Sequence, residues 1–234
     1  MDFELEIFSK NKKLFKKNNI EILVSDLDFI TNCLDKEKFR NFCNKNNINT
    51  PKLIKKLNNK NISYPIIKKE KQGSGSVNQS MIYKKIDLKI DKNTILQEYI
   101  DGTEYGMDIL NSYKGEYVHS FVRKKVSMKN GETDQAIGIY SKKFNKIAKY
   151  ISEKTRHIGN LDIDFIISKK NKMIYFLDFN PRFGGGYPLT HLSGYNYLKY
   201  IIYSYINPKY KFIIPKKISK IFMSKGISIY TKKI

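Results

Sequence analysis

LDIDFIISKKNKMIYFLDFNPRFGGG, residues 161–186, decides how the rest of the chain is read. Leu161, Ile163, Phe165 and Ile167 alternate with Asp162, Asp164, Ile166 and Ser168. Beyond a polar stretch, Ile174, Phe176, Asp178 and Asn180 alternate with Tyr175, Leu177 and Phe179. A period of two on both sides of a polar turn is the pattern of a β-hairpin. Slipping the pairing by one residue would send a whole row to the other face. A five-residue loop over 169–173 sets Asp164 opposite Asp178 and Asp162 opposite Asn180, with Ile163 and Phe165 facing Phe179 and Leu177. A four-residue loop would set the aspartates against Leu177 and Phe179. The five-residue register is expected, because it separates an apolar face from an acidic one.

Like charges directly across a hairpin repel, so Asp162, Asp164 and Asp178 with the amide of Asn180 call for a compensating cation. The patch has two readings. It is a solvated acidic face, or it is a hard-oxygen site for Mg2+ or Mn2+, ions that keep waters and share the phosphate oxygens of a nucleotide. Asn180-Pro181-Arg182 then ends the strand with a rigid turn and a guanidinium suited to gripping phosphate. Phe183 and the run Gly184, Gly185, Gly186 would let the backbone come close to a ligand.

The whole chain of 234 residues is long enough for a sizeable core. Its acidic start, with Asp2, Glu4 and Glu6, does not fit a secretory or mitochondrial leader, and no apolar run reaches membrane-spanning length. Cys33 and Cys43 have no metal spacing and read as reduced thiols, which points to the cytoplasm. The net charge of +22 raises the question of nucleic acid. Of the 44 basic residues only Arg40, Arg123, Arg156 and Arg182 are arginines, and the lysines are dispersed. A surface that reads bases or grips phosphates leans on arginine, so no specific nucleic-acid partner is expected.

Working outward from the hairpin, residues 7–17 read as a helix, 20–24 as a short strand and Asp26 as the start of another helix. Residues 35–46 read as an amphipathic helix with Phe39, Phe42 and Cys43 inward. YPIIK, residues 64–68, is a short strand ending in Lys68, before a loop that holds Gly73, Ser74, Gly75 and Ser76. Such a loop is a plain connector, or a lid whose amides and hydroxyls fold over phosphates that the lysine reaches. Between residues 76 and 97 there is room for only a short helix. ILQEYIDGTE, residues 95–104, runs from a strand into an Asp-Gly turn. Two further strands lie within 108–126, the second ending in Arg123, Lys124 and Lys125. Those three bases guard a sheet edge, or Arg123 cradles a γ-phosphate, with residues 131–138 as a nearby substrate loop. Residues 144–155 read as a helix packed behind the hairpin, 188–206 as a helix belonging to the core, and 207–234 as closing strands. His119 and His157 read as fillers, and His191 has no assigned role.

In this order the motifs resemble the ATP-grasp superfamily, which includes the large chain of carbamoyl phosphate synthase, biotin carboxylase and D-alanine:D-alanine ligase. The resemblance spans roughly residues 20–200 and is greatest for the carbamoyl-phosphate-synthase branch. In that family a strand with an acidic or amide residue precedes one reading acidic-x-Asn-Pro-Arg. Asp164, Asp178, Asn180 and Arg182 stand at those positions, with Asp178 in place of the more usual Glu.

The resemblance implies an α+β fold in which two lobes clamp a nucleotide. Residues 1–34 would be the remnant of a preceding α/β domain, 35–98 a helix and the small lobe, and 99–234 the large lobe with the metal site. Lys36, otherwise one more surface lysine, is similar to the family's base at a helix start that reaches phosphates. Gln97, Glu98, Tyr99 and Ile100 would hold adenine and Glu104 the ribose. The implied activity is ATP-dependent ligation of a small-molecule carboxylate to an amine, or to a thiol, through an acyl phosphate, with ATP and Mg2+ bound and Arg123 and Arg182 catalytic. A non-catalytic MgATP-binding subunit, or half of a split synthetase with a partner subunit or as a homodimer, is the alternative. A basic nucleic-acid binder comes third.

Overall fold

The computed structural model describes residues 2–54, 62–73, 79–84, 92–129, 131–215 and 221–226. Three helices come first: α1 (Asp2–Lys17), α2 (Leu27–Leu34) and α3 (Lys36–Lys45). Asp35 starts α3 by accepting from the backbone N–H groups of Glu37 and Lys38 at 2.9 and 3.0 Å. The strands β1 (Ile66–Glu70), β2 (Ser80–Ile82) and β3 (Thr94–Glu98) form an antiparallel sheet in the order β2-β1-β3. A larger antiparallel sheet runs β8-β7-β4-β5-β6-β9. Its strands are β4 (Gly102–Asn111), β5 (Tyr117–Lys129), β6 (Glu132–Ile139), β7 (Gly159–Ser168), β8 (Ile174–Asn180) and β9 (Phe222–Ser224). The helix α4 (Lys142–Thr155) joins β6 to β7, while α5 (Tyr187–Leu192) and α6 (Tyr197–Ile206) follow β8.

Alternation along the central strands gives this sheet two different faces. Met107, Ile109, Val122, Leu161, Ile163 and Phe165 are buried on one side with Phe29, Phe39 and Cys43 of α2 and α3 and with Phe144, Ala148 and Ile151 of α4. The opposite side carries Asp108, Arg123, Lys125, Asp162 and Asp164, and farther along it Leu110, Phe121 and Ala136 pack with Tyr187, Leu189 and Tyr197. The segment 49–54 stitches the two sheets together. Phe176 N–H donates to Asn49 O at 2.9 Å, Glu98 N–H to Lys52 O at 2.9 Å and Ile54 N–H to Leu96 O at 2.8 Å.

The hairpin has the expected register at its acidic end and another at its tip. Asp162 pairs with Asn180, Ile163 with Phe179 and Asp164 with Asp178, but Phe165 pairs with Phe176 and Ile167 with Ile174. Ser168 N–H donates to Met173 O at 3.0 Å, so the turn proper is the shorter one. A bulge after Asp164 restores the register of the aspartates by adding one residue to β8. As a result Phe176, expected on the acidic face, is buried in the core, and Leu177, expected there, lines the cleft instead.

Other expectations are corrected as well. Residues 20–24 form no strand, and Ile20 and Leu23 remain exposed. A strand, β2, occupies part of the span allotted to a short helix. Residues 131–138 are the start and body of β6 rather than a loop. The helix expected over 188–206 is broken at Gly194, whose φ is +92°, and α6 is core on one face only: Tyr197 is buried with Tyr200 and Ile201 packed beside it, while Leu198, Ile202 and Ile206 are 46%, 56% and 74% exposed. Among the described residues of the tail, only β9 is a strand.

Candidate active site

The polar face of the large sheet and the underside of the small one enclose a cavity of about 310 Å³, within the range of small-molecule sites. Its walls include Lys36, Lys69, Glu104, Arg123, Lys125, Asp162, Asp164, Asp178, Asn180 and Arg182.

Lys36 reaches the cavity because the start of α3 is tied to the end of β1. Lys36 N–H donates to Lys71 O at 3.0 Å, the Lys71 ammonium lies 2.5 Å from Glu37, and Lys36 Nζ donates to Gly73 O at 2.9 Å. Gly73 lines the cavity, while Ser74, Gly75 and Ser76 lie outside the described residues. In β1 the cavity-lining lysine is Lys69 rather than the expected Lys68. Lys68 pairs with Leu96 and Ser80 on the face that buries Ile66 against Ile82 and Leu96. Burial lowers the Lys69 ammonium to about 8, with Asp178 acting against that shift and Lys36 adding to it. The strand's two isoleucines, Ile66 and Ile67, hid the choice, because an unbroken apolar pair does not say which row faces in.

The segment expected to hold adenine is engaged with the chain itself. Gln97 is buried and bridges to Leu53, its amide 3.4 Å from Pro51 O, and Glu98 Oε1 accepts from Lys52 N–H at 2.7 Å. Gln97, Glu98, Tyr99 and Ile100 do not line the described cavity, whereas Glu104 does.

Across the cavity, Asp164, Asp178 and Asn180 stand together as the β7–β8 pairing requires. Burial raises the Asp178 carboxyl to about 6, opposed by Lys36 and Lys69 and assisted by Asp164. The compensating cations are lysines of the chain, since Lys125 Nζ lies 2.6 Å from Asp164 Oδ1. Among the described residues no three His, Cys, Asp or Glu side chains cluster as a metal cage. Two carboxylates and an amide oxygen nevertheless suit a magnesium ion that takes its remaining ligands from water and phosphate.

The two arginines differ from each other, and Arg123 differs from expectation. Arg123 is 1% exposed and donates to Asp108 Oδ2 at 2.6 Å and to Asp162. Asp108 also accepts from Thr190 Oγ1 at 2.5 Å and from Asn160 Nδ2 at 3.2 Å. Asp108 and Asp162 hold the Arg123 guanidinium charged against the cost of burial. The glycine run serves this ion pair. A Cβ on Gly184 would overlap Asp162, one on Gly186 would overlap Arg123 Nε, and one on Gly106 would stand 2.6 Å from the same atom. These glycines let backbone close over a buried salt bridge, although Gly185 and Gly186 also line the cavity. Arg182 stands at the rim with 28% of its side chain exposed, and both carboxylate oxygens of Asp2, at the start of α1, pair with it.

His157 and His119 are interior groups, as expected of fillers. Thr155 Oγ1 lies 2.7 Å from His157 Nδ1, and His157 Nε2 lies 3.1 Å from Ile109 O. Residues that the sequence reading did not single out include Lys69 on the cavity wall and Asp108 beneath it, while Gly131, Glu132 and Thr133, from the span read as a substrate loop, line the wall.

A family model for the ATP-grasp domain matches residues 33–186. No curated protein sequence matches the chain. Among solved structures, the biotin carboxylase domain of 2-oxoglutarate carboxylase from Hydrogenobacter thermophilus, solved as a dimer with MgADP, ADP and bicarbonate, superposes with a TM-score of 0.70 at 15% identity, covering 88% of this chain and 53% of that one. N5-carboxyaminoimidazole ribonucleotide synthetase from Thermotoga maritima gives a TM-score of 0.60 at 21% identity over 78% of this chain and 51% of that one. L-Amino acid ligase from Bacillus licheniformis gives 0.62 at 17% identity over 88% and 55%. At these identities the likeness is one of fold, and the chain spans about half the length of each. The family match does not single out the carbamoyl-phosphate-synthase branch.

Proposed function

Because the chain belongs to the ATP-grasp family, we propose that it binds MgATP in the cavity between its two sheets and uses it to activate a small-molecule carboxylate. The observation that carries this reading is the meeting of Lys36 and Lys69 with Asp164, Asp178, Asn180 and Arg182 around one cavity. The two lysines offer ammonium donors to the phosphates from one side. Asp164, Asp178 and Asn180 would hold the magnesium, whose chemistry is to neutralise charge on the transferring phosphoryl group. Arg182, at the rim, is suited to orient the acceptor carboxylate by its fork of N–H groups.

In the proposed reaction a carboxylate oxygen bonds to the γ phosphorus as the bond to the β-γ bridging oxygen breaks, releasing ADP. An amine then adds to the acyl carbon and phosphate leaves with the bonding pair, the amine proton passing to water or to phosphate. A thiol acceptor would follow the same course. None of these steps needs a nucleophilic side chain, and positioning with charge neutralisation carries the rate.

Calorimetric titration with MgADP tests the placement. Lys69→Gln is expected to weaken binding by about tenfold or more, the loss of a charge-assisted hydrogen bond, and Lys68→Gln to change it less than about twofold. A wild-type chain that binds neither MgADP nor MgATP would end this reading. A second reading is favoured by the chain's spanning about half of its structural relatives. It makes the chain the nucleotide-binding part of a larger ligase, and it expects MgATP binding without ADP release until a partner supplies the acceptor site.

A further inference from the structure

Lys125 reaches the cavity from β5, two residues beyond Arg123 on the same face. Its side chain is 6% exposed, with Nζ 2.6 Å from Asp164 Oδ1 and 3.9 Å from Glu104 Oε2. One oxygen of a carboxylate assigned to magnesium is thus covered by an ammonium of the chain. Two cations on one carboxylate repel strongly at such distances in a partly buried site. A metal ion arriving alone must displace the lysine, whose nearest other anion here is Glu104. A metal ion arriving with a nucleotide brings phosphate oxygens, which accept an ammonium at least as well as a carboxylate does.

We infer that Lys125 holds Asp164 in the nucleotide-free protein and moves to phosphate when nucleotide binds, so that divalent-metal binding is conditional on nucleotide. The inference rests on the proposed MgATP site and adds an order of binding to it. The coupling is reciprocal, since a lysine that lets nucleotide tighten the metal lets the metal tighten nucleotide by the same factor.

The test is Mn2+ binding, followed by the electron paramagnetic resonance of the free ion, with and without ADP. Lys125→Met is expected to tighten nucleotide-free Mn2+ binding at least tenfold and to shrink the enhancement given by ADP by the same factor. Lys124→Met removes the same charge one residue away, from an exposed side chain on the opposite face of β5, and is expected to stay within twofold of wild type. If Lys125→Met fails to fold, by circular dichroism and thermal melting, Lys125→Gln replaces it with the same expectation. Wild type that binds Mn2+ with ADP, beside a folded Lys125 variant with no gain in nucleotide-free affinity, overturns this inference alone. Wild type that forms no complex with Mn2+ and ADP overturns the nucleotide site and this inference with it.

Discussion

The polar residues of this chain fall into two regions that look alike in sequence and differ in what surrounds them. At the cavity floor and beneath it, Arg123, Asp108, Asp162, Thr190 and Asn160 bond to one another, with Arg123 Nε and Asn160 Oδ1 left without a partner among the described residues. Around His157 the side chains of Thr155, Asn111 and Ser152 bond to it or to one another as well. On the cavity wall, Lys36, Lys69, Asp178 and Arg182 face open space or are paired with groups that can leave. Arg123, held between two buried carboxylates of the large sheet, is architecture, whereas Arg182, whose partner sits on the start of a helix, can be offered to a ligand. Arg123 and Arg182, two of the chain's four arginines, fall on opposite sides of that division.

The largest expected effect is on the closed side. Arg123→Met leaves Asp108 and Asp162 buried without their cation, and breaking a buried ion pair in this way costs about 3–5 kcal/mol. Urea unfolding should show the loss. A variant as stable as wild type would place Arg123 with the ligand-facing groups and remove the distinction. Gly186→Ala comes next, because the added methyl overlaps Arg123 Nε and Gly186 lies in backbone that covers the ion pair. Overpacking of that kind costs about 2–3 kcal/mol, again read from the urea midpoint.

The closed region is also the one sequence reading missed, for a physical reason. Asp108 and Asp162 lie 15 and 39 residues from Arg123 along the chain, and nothing local says they will meet. Arg123, read from the sequence as a sheet-edge base or a cradle for a γ-phosphate, is instead a buried fork between two carboxylates. The acidic row was legible because alternation in a hairpin is a local property, and Asp164, Asp178 and Asn180 stand together as that alternation requires. The bulge at Leu177 was not legible, since residues 174–180 alternate without a break on paper. Only pairing with β7 shows that Phe176 and Phe179 both turn inward. Lys69 lost to Lys68 for a similar reason, through the adjacent isoleucines before them.

Acid sharpens the comparison by a smaller amount. Burial lowers the pKa of His157 to about 4, against an ordinary 6.5, so the unfolded chain binds a proton more readily than the folded one. Stability contributed by the neutral ring is present above pH 6.5 and is lost as the pH falls toward 4. At pH 5 the loss from His157 is about 2 kcal/mol, and His119, also lowered to about 4, acts in the same direction. Burial raises the carboxyls of Asp178 and Asp162, which act in the opposite direction over the same range. The His157 contribution is therefore read as the difference between wild type and His157→Gln in the change of urea midpoint from pH 7 to pH 5. No difference between the two would mean that the interior polar cluster opens to water.

The smallest effect on stability, and the largest on function, is expected at Arg182. Its guanidinium is paired with Asp2, but both groups are partly exposed, at 28% and 18%, and α1 buries none of its residues. An ion pair in that setting contributes under about 1 kcal/mol after solvent screening, so Arg182→Gln should unfold within that margin of wild type. Asp2→Asn should do the same, which separates the pair from the framework. Turnover should respond differently. If Arg182 orients the acceptor carboxylate, its loss removes a donor aimed at developing charge, and ADP release should fall about a hundredfold or more, while MgADP binding, assigned to the lysines and the acidic row, changes little. Asp2→Asn frees the same guanidinium, so ADP release should hold or rise. Should Arg182→Gln cost as much stability as Arg123→Met, the rim arginine belongs to the closed framework after all, and the carboxylate must be held by another group on the cavity wall.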